Sequence, residues 1–430
     1  MTDTDTDAEA KRGPSPRSLA CLDALNFFLA DVRDGLGPYL AIYLTSQRHW
    51  DPSQVGVAMA AMLVGTIVTQ SPAGAMIDRV RWKRAAVAGA AAVVSAGCLA
   101  MVAYPGYYVV VGSQAMIGAA ASVFPPAIAA LTLGIVGHRR MARRTGRNEA
   151  FNHLGNVAAA VLAGAAGYLL GYWSIFCLVA LMAALSAATV LVLPEAEIDH
   201  DRARGAVEGE EGGAQVESVA ELFRDRRILA FTACAVMFHF ANAAMLPLVG
   251  QKVTQGMDRG TAVLMSACII TAQLVMIPVA LAASRLAESW GRKPVFLIGF
   301  AVLPIRGLLY TLTANPYLLV GIQLLDGIGA GIFGVVSVLV VADLTRGTGR
   351  FNLTQGVLAT ATAIGAALSN VACGYIVKAA GFDAGFGTLT AIAVGGLALY
   401  AWAMPETRDV EPAQVGASSG MEAEPSASPA

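Results

Sequence analysis

Charge is what this sequence has least of. Only 14% of its 430 residues are Asp, Glu, Lys or Arg, against about 25% in soluble domains, and the mean hydropathy is +0.61. A chain so short of charge cannot clothe itself in a water-facing surface, which excludes an ordinary soluble domain. Net charge is −1, so no basic excess points to nucleic acid. Patterns for catalysis are missing too: there is no HExxH, no GxSxG and no phosphate-cradling Gly loop with Lys. The six cysteines, Cys21, Cys98, Cys177, Cys234, Cys268 and Cys373, stand singly, with no CxxC and no His at ligand spacing. They read as small packed hydrophobes rather than a metal or disulfide set. No enzymatic activity, metal or cofactor is expected.

What the sequence has in abundance is long apolar runs. Twelve recur, at about 18–45, 54–77, 84–103, 107–136, 149–170, 173–193, 228–250, 261–284, 294–313, 316–343, 353–379 and 384–404, each long enough to cross roughly 30 Å of hydrocarbon as a helix. Residues 1–17 are polar and lack a cleavable leader pattern, so the first run is expected to stay as a span. The segment 194–227 is rich in Glu, Asp, Gly and Arg and cannot build a core, which marks it as a linker. These boundaries predict an N-terminal bundle over 18–193, a C-terminal bundle over 228–404, and disordered ends at 1–17 and 405–430.

Orientation follows from basic residues in the short loops. Alternate connections starting after the second span carry 19 Lys and Arg, against four (Arg48, Lys252, Arg259, Lys378) in the opposite set. Both termini and the linker are therefore expected in the cytoplasm, with the chain a multi-pass protein of the inner membrane.

The halves repeat. Gly74-Ala-Met-Ile-Asp78-Arg79-Val-Arg81-Trp-Lys83 follows the second span, and Ser284-Arg-Leu-Ala-Glu288-Ser-Trp-Gly291-Arg292-Lys293 follows the eighth. Gln114 and Gln323 stand 209 residues apart, and Thr145-Gly-Arg147 and Thr348-Gly-Arg350 stand 203 apart. Two matching halves with a site between them near the midplane are a transporter architecture.

The loop from Gly74 to Lys83 resembles the signature of the major facilitator superfamily: a Gly, three residues, an Asp, a basic residue, then Gly-Arg-Lys before the third span. Arg81 and Trp82 replace the Gly-Arg of the first copy, while the second keeps Gly291-Arg292-Lys293 with Glu288 as its acid. The resemblance covers about residues 18–405. It implies an all-α membrane fold of twelve helices in two pseudo-symmetric six-helix bundles, and a cytoplasmic gate at Gly74, Asp78, Arg79, Lys83, Glu288, Gly291, Arg292 and Lys293. Antiporter and sugar-porter subfamily signatures are not complete here.

Candidate site residues are the polar groups at membrane depth, which are costly in lipid and so face a cavity or one another. The first span carries Asp23, Asp31, Arg33 and Asp34 just before Gly35, Gly37 and Pro38, which weaken the helix. Asp31 and Asp34 share a face and are the candidates for proton coupling, because an acid without a cation in a low-dielectric cavity has its pKa raised toward neutral. Cavity candidates are Arg33, Gln114, Asn152, His239, Asn242, Arg306, Gln323 and Asp326. Arg306 and Asp326 lie on consecutive spans and suit a structural ion pair as well as a substrate contact. His239 suits hydrogen-bonded packing, or titration near neutral pH. The resulting expectation is a monomeric secondary transporter whose partners are a small-molecule substrate, protons and the bilayer. Proton-coupled efflux of a small organic molecule, drug-like or a secreted metabolite, is the first reading. Proton-coupled uptake of an organic acid or sugar, with Arg33 or Arg306 gripping an anion, is the second.

Overall fold

The computed structural model describes residues 14–34, 36–200, 203, 225–254, 260–345 and 351–408, except the side chains of residues 33, 34, 138, 139, 142, 351 and 352. Among the described residues every regular element is helical, as a lipid-embedded chain requires, since a helix satisfies its backbone groups within one segment. In chain order these are α1 (Pro16–Asp34), α2 (Gly37–Ser46), α3 (Pro52–Arg79), α4 (Lys83–Ala103), α5 (Tyr107–Ala121), α6 (Phe124–Val136), α7 (His138–Leu169), α8 (Trp173–Val192), α9 (Arg226–Ala243), α10 (Met245–Thr254), α11 (Thr261–Ser289), α12 (Arg292–Leu312), α13 (Pro316–Leu344) and α14 (Phe351–Ala403).

Twelve spans follow from these fourteen helices. The first is α1 with α2, broken ahead of Pro38, and the seventh is α9 with α10, broken at Ala244 with Pro247 one turn on. The fourth breaks as well, at Ser122 and Val123, ahead of the Pro125-Pro126 pair. That interruption has the same cause, because proline suits the first helical turn and removes a donor from a preceding one. Conversely α14 is two spans in one helical run, folded back at Gly381, whose φ of +85° suits glycine. Nine stretches among the described residues are apolar and long enough to cross a bilayer by composition alone. The α1–α2 and α7 spans fall outside that set because of their charged and amide residues, of which Asp23, Asn26, Asp31, Arg144 and Asn148 are buried in the bundle.

Two apolar cores result, one centred on α1–α8 and the other on α9–α14. They meet along α3 against α14, α7 against α11, and α2 against α10. Small residues permit the approach: Gly56 lies directly against the Asn370 carbonyl and Gly374 against that of Pro52, while Gly164 lies against Ser266. These contacts are related by the internal repeat, since Gly164 and Gly374, like Gly56 and Ser266, are 210 residues apart. The face holding the start of α1, the end of α3 and the start of α4 is called the linker face below, and the other the far face.

Candidate functional site

In the second half the buried polar residues form one network. Arg306, on α12, is 1% exposed, and its Nη1 donates to Asp326 Oδ1 at 2.6 Å and to Asn242 Oδ1, while its Nε donates to the Tyr310 hydroxyl at 3.0 Å. Gln323 Nε2 donates to the same hydroxyl at 2.7 Å. Three spans are joined through one guanidinium, because a charge in this setting needs both a counter-charge and its hydrogen bonds satisfied. Asn242 reaches it from the last turn before the α9–α10 break. His239, one turn earlier, is half-buried; its Nδ1 donates to the Ala235 carbonyl at 3.1 Å and its ring stands edge-on to Phe333.

The first half distributes its charges differently. Asp23 is held by both Arg144 and Arg147, each at 2.6 Å. Arg144 Nε also donates to Asn148 Oδ1 at 2.8 Å, and Asn148 in turn donates to Thr132 at 3.0 Å. Asp23 therefore has its cations, and two arginines of the basic loop after the fourth span do more than set topology. Asp31 is 6% exposed and lies within electrostatic reach of the Tyr39 hydroxyl. That hydroxyl is hydrogen-bonded across the halves to Ser266 at 2.7 Å. The Arg33 and Asp34 side chains lie outside the described residues. Gln114 is buried and donates to Met101 Sδ at 3.6 Å, the counterpart of Gln323 and Tyr310 at an offset of 209 for both residues. Asn152 is half-buried on α7 beside His153, whose Nδ1 meets Gln273 Oε1 across the halves at 3.0 Å.

The signature loops are built in two ways. Lys83 is fully buried and donates from Nζ to the Ile77 and Val80 carbonyls at 2.7 Å, so it closes the turn between α3 and α4. Asp78 and Arg79 are exposed at the end of α3, and Gly74 is half-buried one turn before them. In the second half, Arg292 Nε pairs with Asp343 at 3.1 Å and its Nη1 donates to the Ala287 carbonyl. Glu288 is exposed, and its carbonyl accepts from Arg408. Glu406 accepts from the backbone N–H groups of Arg292 at 2.7 Å and Lys293 at 3.0 Å, packed on Gly291, whose φ is +105°. Partial burial pushes the Glu406 carboxyl up, but the amides of Lys293, Arg292, Arg408 and Thr407 together outweigh it and hold the pKa below the ordinary glutamate value.

These contacts place Glu406 to Arg408 in the folded body rather than in a disordered tail beginning at 405. Glu195, which pairs with Arg84, and Glu406 were missed by motif reading. Their signal was a Pro-Glu pair after the sixth and twelfth spans, at 194–195 and 405–406.

At the far face Asp51 caps α3, accepting from the Ser53 and Gln54 amides, and pairs across the halves with Lys378 at 3.1 Å. Lys252 and Asp383 pair beside it at 3.1 Å, and the four charges line a cavity of about 660 Å³.

The fold and site together define a class: a polytopic membrane protein of two repeated six-helix bundles that meet along small residues, with buried polar networks in each half. The chain belongs to the Major Facilitator Superfamily, whose profile matches residues 20–287 and 270–427. It is 52% identical over 396 residues to uncharacterized MFS-type transporters of Mycobacterium tuberculosis strains CDC 1551 and H37Rv, an alignment covering 92% of this chain and 94% of each relative. In architecture it is similar to crystal structures of the nucleoside transporter NupG. A point mutant of that protein superposes with a TM-score of 0.79 at 12% identity, over 90% of this chain and all of NupG. A second NupG structure superposes at 0.74 with 14% identity, over 90% of this chain and 98% of the other. At such identity the likeness is one of fold.

Proposed function

We propose that this transporter works by alternating access and couples proton movement to efflux of a small organic molecule across the inner membrane, with its termini and linker in the cytoplasm. One observation carries the reading. Asp31, buried where the first span breaks, lies in reach of Tyr39, and the Tyr39 hydroxyl is a contact between the two halves. A proton gained or lost at Asp31 changes the field at a bond that must break for the halves to rock apart, which gives one ligand leverage over two states. Arg306 counts against the uptake reading with an anion at that residue, since its charge is met by Asp326 and its Nη1 and Nε donate to Asn242, Asp326 and Tyr310.

The test is transport by proteoliposomes of the full chain, screened against drug-like compounds and metabolites with imposed pH gradients, wild type beside Asp31→Asn. The reading expects substrate to move against the proton gradient in wild type, and Asp31→Asn to keep substrate exchange while losing gradient-driven flux. Substrate moving with the proton, or undiminished gradient-driven flux in Asp31→Asn, would overturn it.

A further inference from the structure

Which polar groups open onto the space between the halves follows from what each helix packs against. On α7, Leu154 and Val161 are 55% and 53% exposed and mark the lipid side. Asn152 and Asn156, two residues either side of Leu154, point the opposite way. Their face is bounded by Gly155, seated on the Phe27 carbonyl of α1, and by His153, bonded to Gln273 of α11 in the other half. Both asparagines are half-buried, and they look inward between the halves.

On α9, Met237 seats the helix on Gly395 and Gly396 of α14, and His239, two residues on, points away from that contact. Nδ1 of His239 is spent on the Ala235 carbonyl, which makes Nε2 of the neutral ring an acceptor. Oδ1 of Asn242 is spent on Arg306, which leaves its Nδ2 as a donor. Paired contacts of the repeat relate the depths of these groups, since Gly155 rests on the Phe27 carbonyl as Gly365 rests on that of Val236. Counted from that level, Asn152 is three residues toward the linker face, and Asn156, His239 and Asn242 are one, three and six toward the far face. The spread is about 14 Å.

Charge is absent from what this space offers. Among the described side chains at these depths the charged ones are Asp31, Arg306 and Asp326. Arg306 and Asp326 neutralise each other at 2.6 Å, and Asp31 is 6% exposed with its Oδ2 wholly buried. A charged ligand would enter without a counter-charge, in a setting where that is costly. Flat apolar surface is supplied by the Phe27–Phe28 pair, with ring centroids 5.4 Å apart, and by Phe333, edge-on to His239 at 4.7 Å.

We propose that the space between the halves binds an uncharged aromatic amide or lactam. Its N–H and C=O meet the acceptor of His239 and the donor of Asn242, which stand three residues apart on one helix, and further polar groups of the ligand meet Asn152 and Asn156. Its ring lies against the phenylalanines. The inference rests on the reading above only in taking this space for the transport site.

The test is binding to the purified full chain in detergent, measured by thermal shift against ligand concentration with three compounds that share one ring: indole-3-acetamide, indole-3-acetate and tryptamine. At neutral pH these are uncharged, anionic and cationic. Wild type should favour the amide over each charged analogue by about tenfold, a modest return on the cost of an unpaired charge. His239→Phe keeps a ring and loses the acceptor, and should lower affinity for the amide about fivefold, the worth of one neutral hydrogen bond. Asn156→Asp adds a carboxylate and should shift the preference to tryptamine. Monodispersity on size exclusion checks the fold of both variants. Absence of amide binding, an equal or stronger response to either charged analogue in wild type, or unchanged selectivity in folded His239→Phe or Asn156→Asp overturns the proposal. No gradient enters the assay, so amide binding with no proton-driven flux would overturn the coupling alone, and proton-driven flux of a charged substrate would overturn the ligand class alone.

Discussion

Arg306 occupies, in the second half, the place that Gly97 holds in the first, 209 residues earlier. Its partner Asp326 stands at the counterpart of Ile117, against which Gly97 is packed. One contact of the repeat is thus an ion pair in one bundle and a glycine against an aliphatic side chain in the other. Each solution fills the space, but only the ionic one obliges further residues, Asn242 and Tyr310, to satisfy what it leaves open.

That obligation sets the first prediction. Arg306→Met alone strands the Asp326 carboxylate and should cost about 3–5 kcal/mol, whereas Arg306→Met with Asp326→Leu should recover most of it. Thermal unfolding in detergent of both single variants and the double variant measures the coupling, and additive losses would show that the pair does not act as a unit.

The Tyr39–Ser266 bond joins the halves, so Tyr39→Phe should weaken that closure by about 1 kcal/mol, a net hydrogen bond. Labelling of a cysteine placed in the far-face cavity should then rise about fivefold, in line with the population shift. Unchanged labelling would place the strength of the contact elsewhere.

Asp51 gives a pH dependence with a definite sign. Burial raises its pKa, and the Ser53 hydroxyl, the Lys378 ammonium and the Gln54 amide more than offset this, leaving the value below that of an ordinary aspartate. When the halves part, the Lys378 contribution is lost and the pKa returns upward. The closed far face is therefore favoured above the open state's pKa and loses that advantage as pH falls through the lower, closed-state one. Far-face labelling should increase on acidification in wild type. Asp51→Asn, which keeps a helix cap, should label more at neutral pH and respond less to acid.

Glu406→Ala removes the carboxylate on the first amides of α12 and should lower stability by about 1 kcal/mol, as for a lost cap. Because the Glu406 pKa is depressed, the stabilisation is present above the ordinary glutamate value and fades as pH falls through the lowered one. Melting curves of wild type and variant should accordingly converge in acid, and a constant difference across pH would rule out the carboxylate as its source.

Much of this arrangement was legible beforehand. The breaks in the first and seventh spans were marked by Gly35, Gly37, Pro38 and Pro247, because proline and glycine act locally. The repeat showed in Gln114 and Gln323, which do prove to make equivalent contacts, to Met101 and Tyr310. The pairing of Arg306 with Asp326 was readable as one of two options, since adjacent spans brought them near. Asp23 was not: its arginines lie more than 120 residues away in sequence, and nothing local selects them over Arg33. The Pro-Glu repeat at 194–195 and 405–406 was visible, yet its meaning depended on the start of α4 or α12 lying beside it.

By itself the sequence determined that the chain lives in a bilayer, how many times it crosses, and that it does so as two copies of one plan. Lipid imposes this span by span, since each segment must bury its own backbone and be long enough to do it. Only the tertiary structure decided which charges meet and where the halves touch. Those are choices among partners distant in the chain, made by the fit of side chains across helices, and no stretch of sequence contains both members of such a pair.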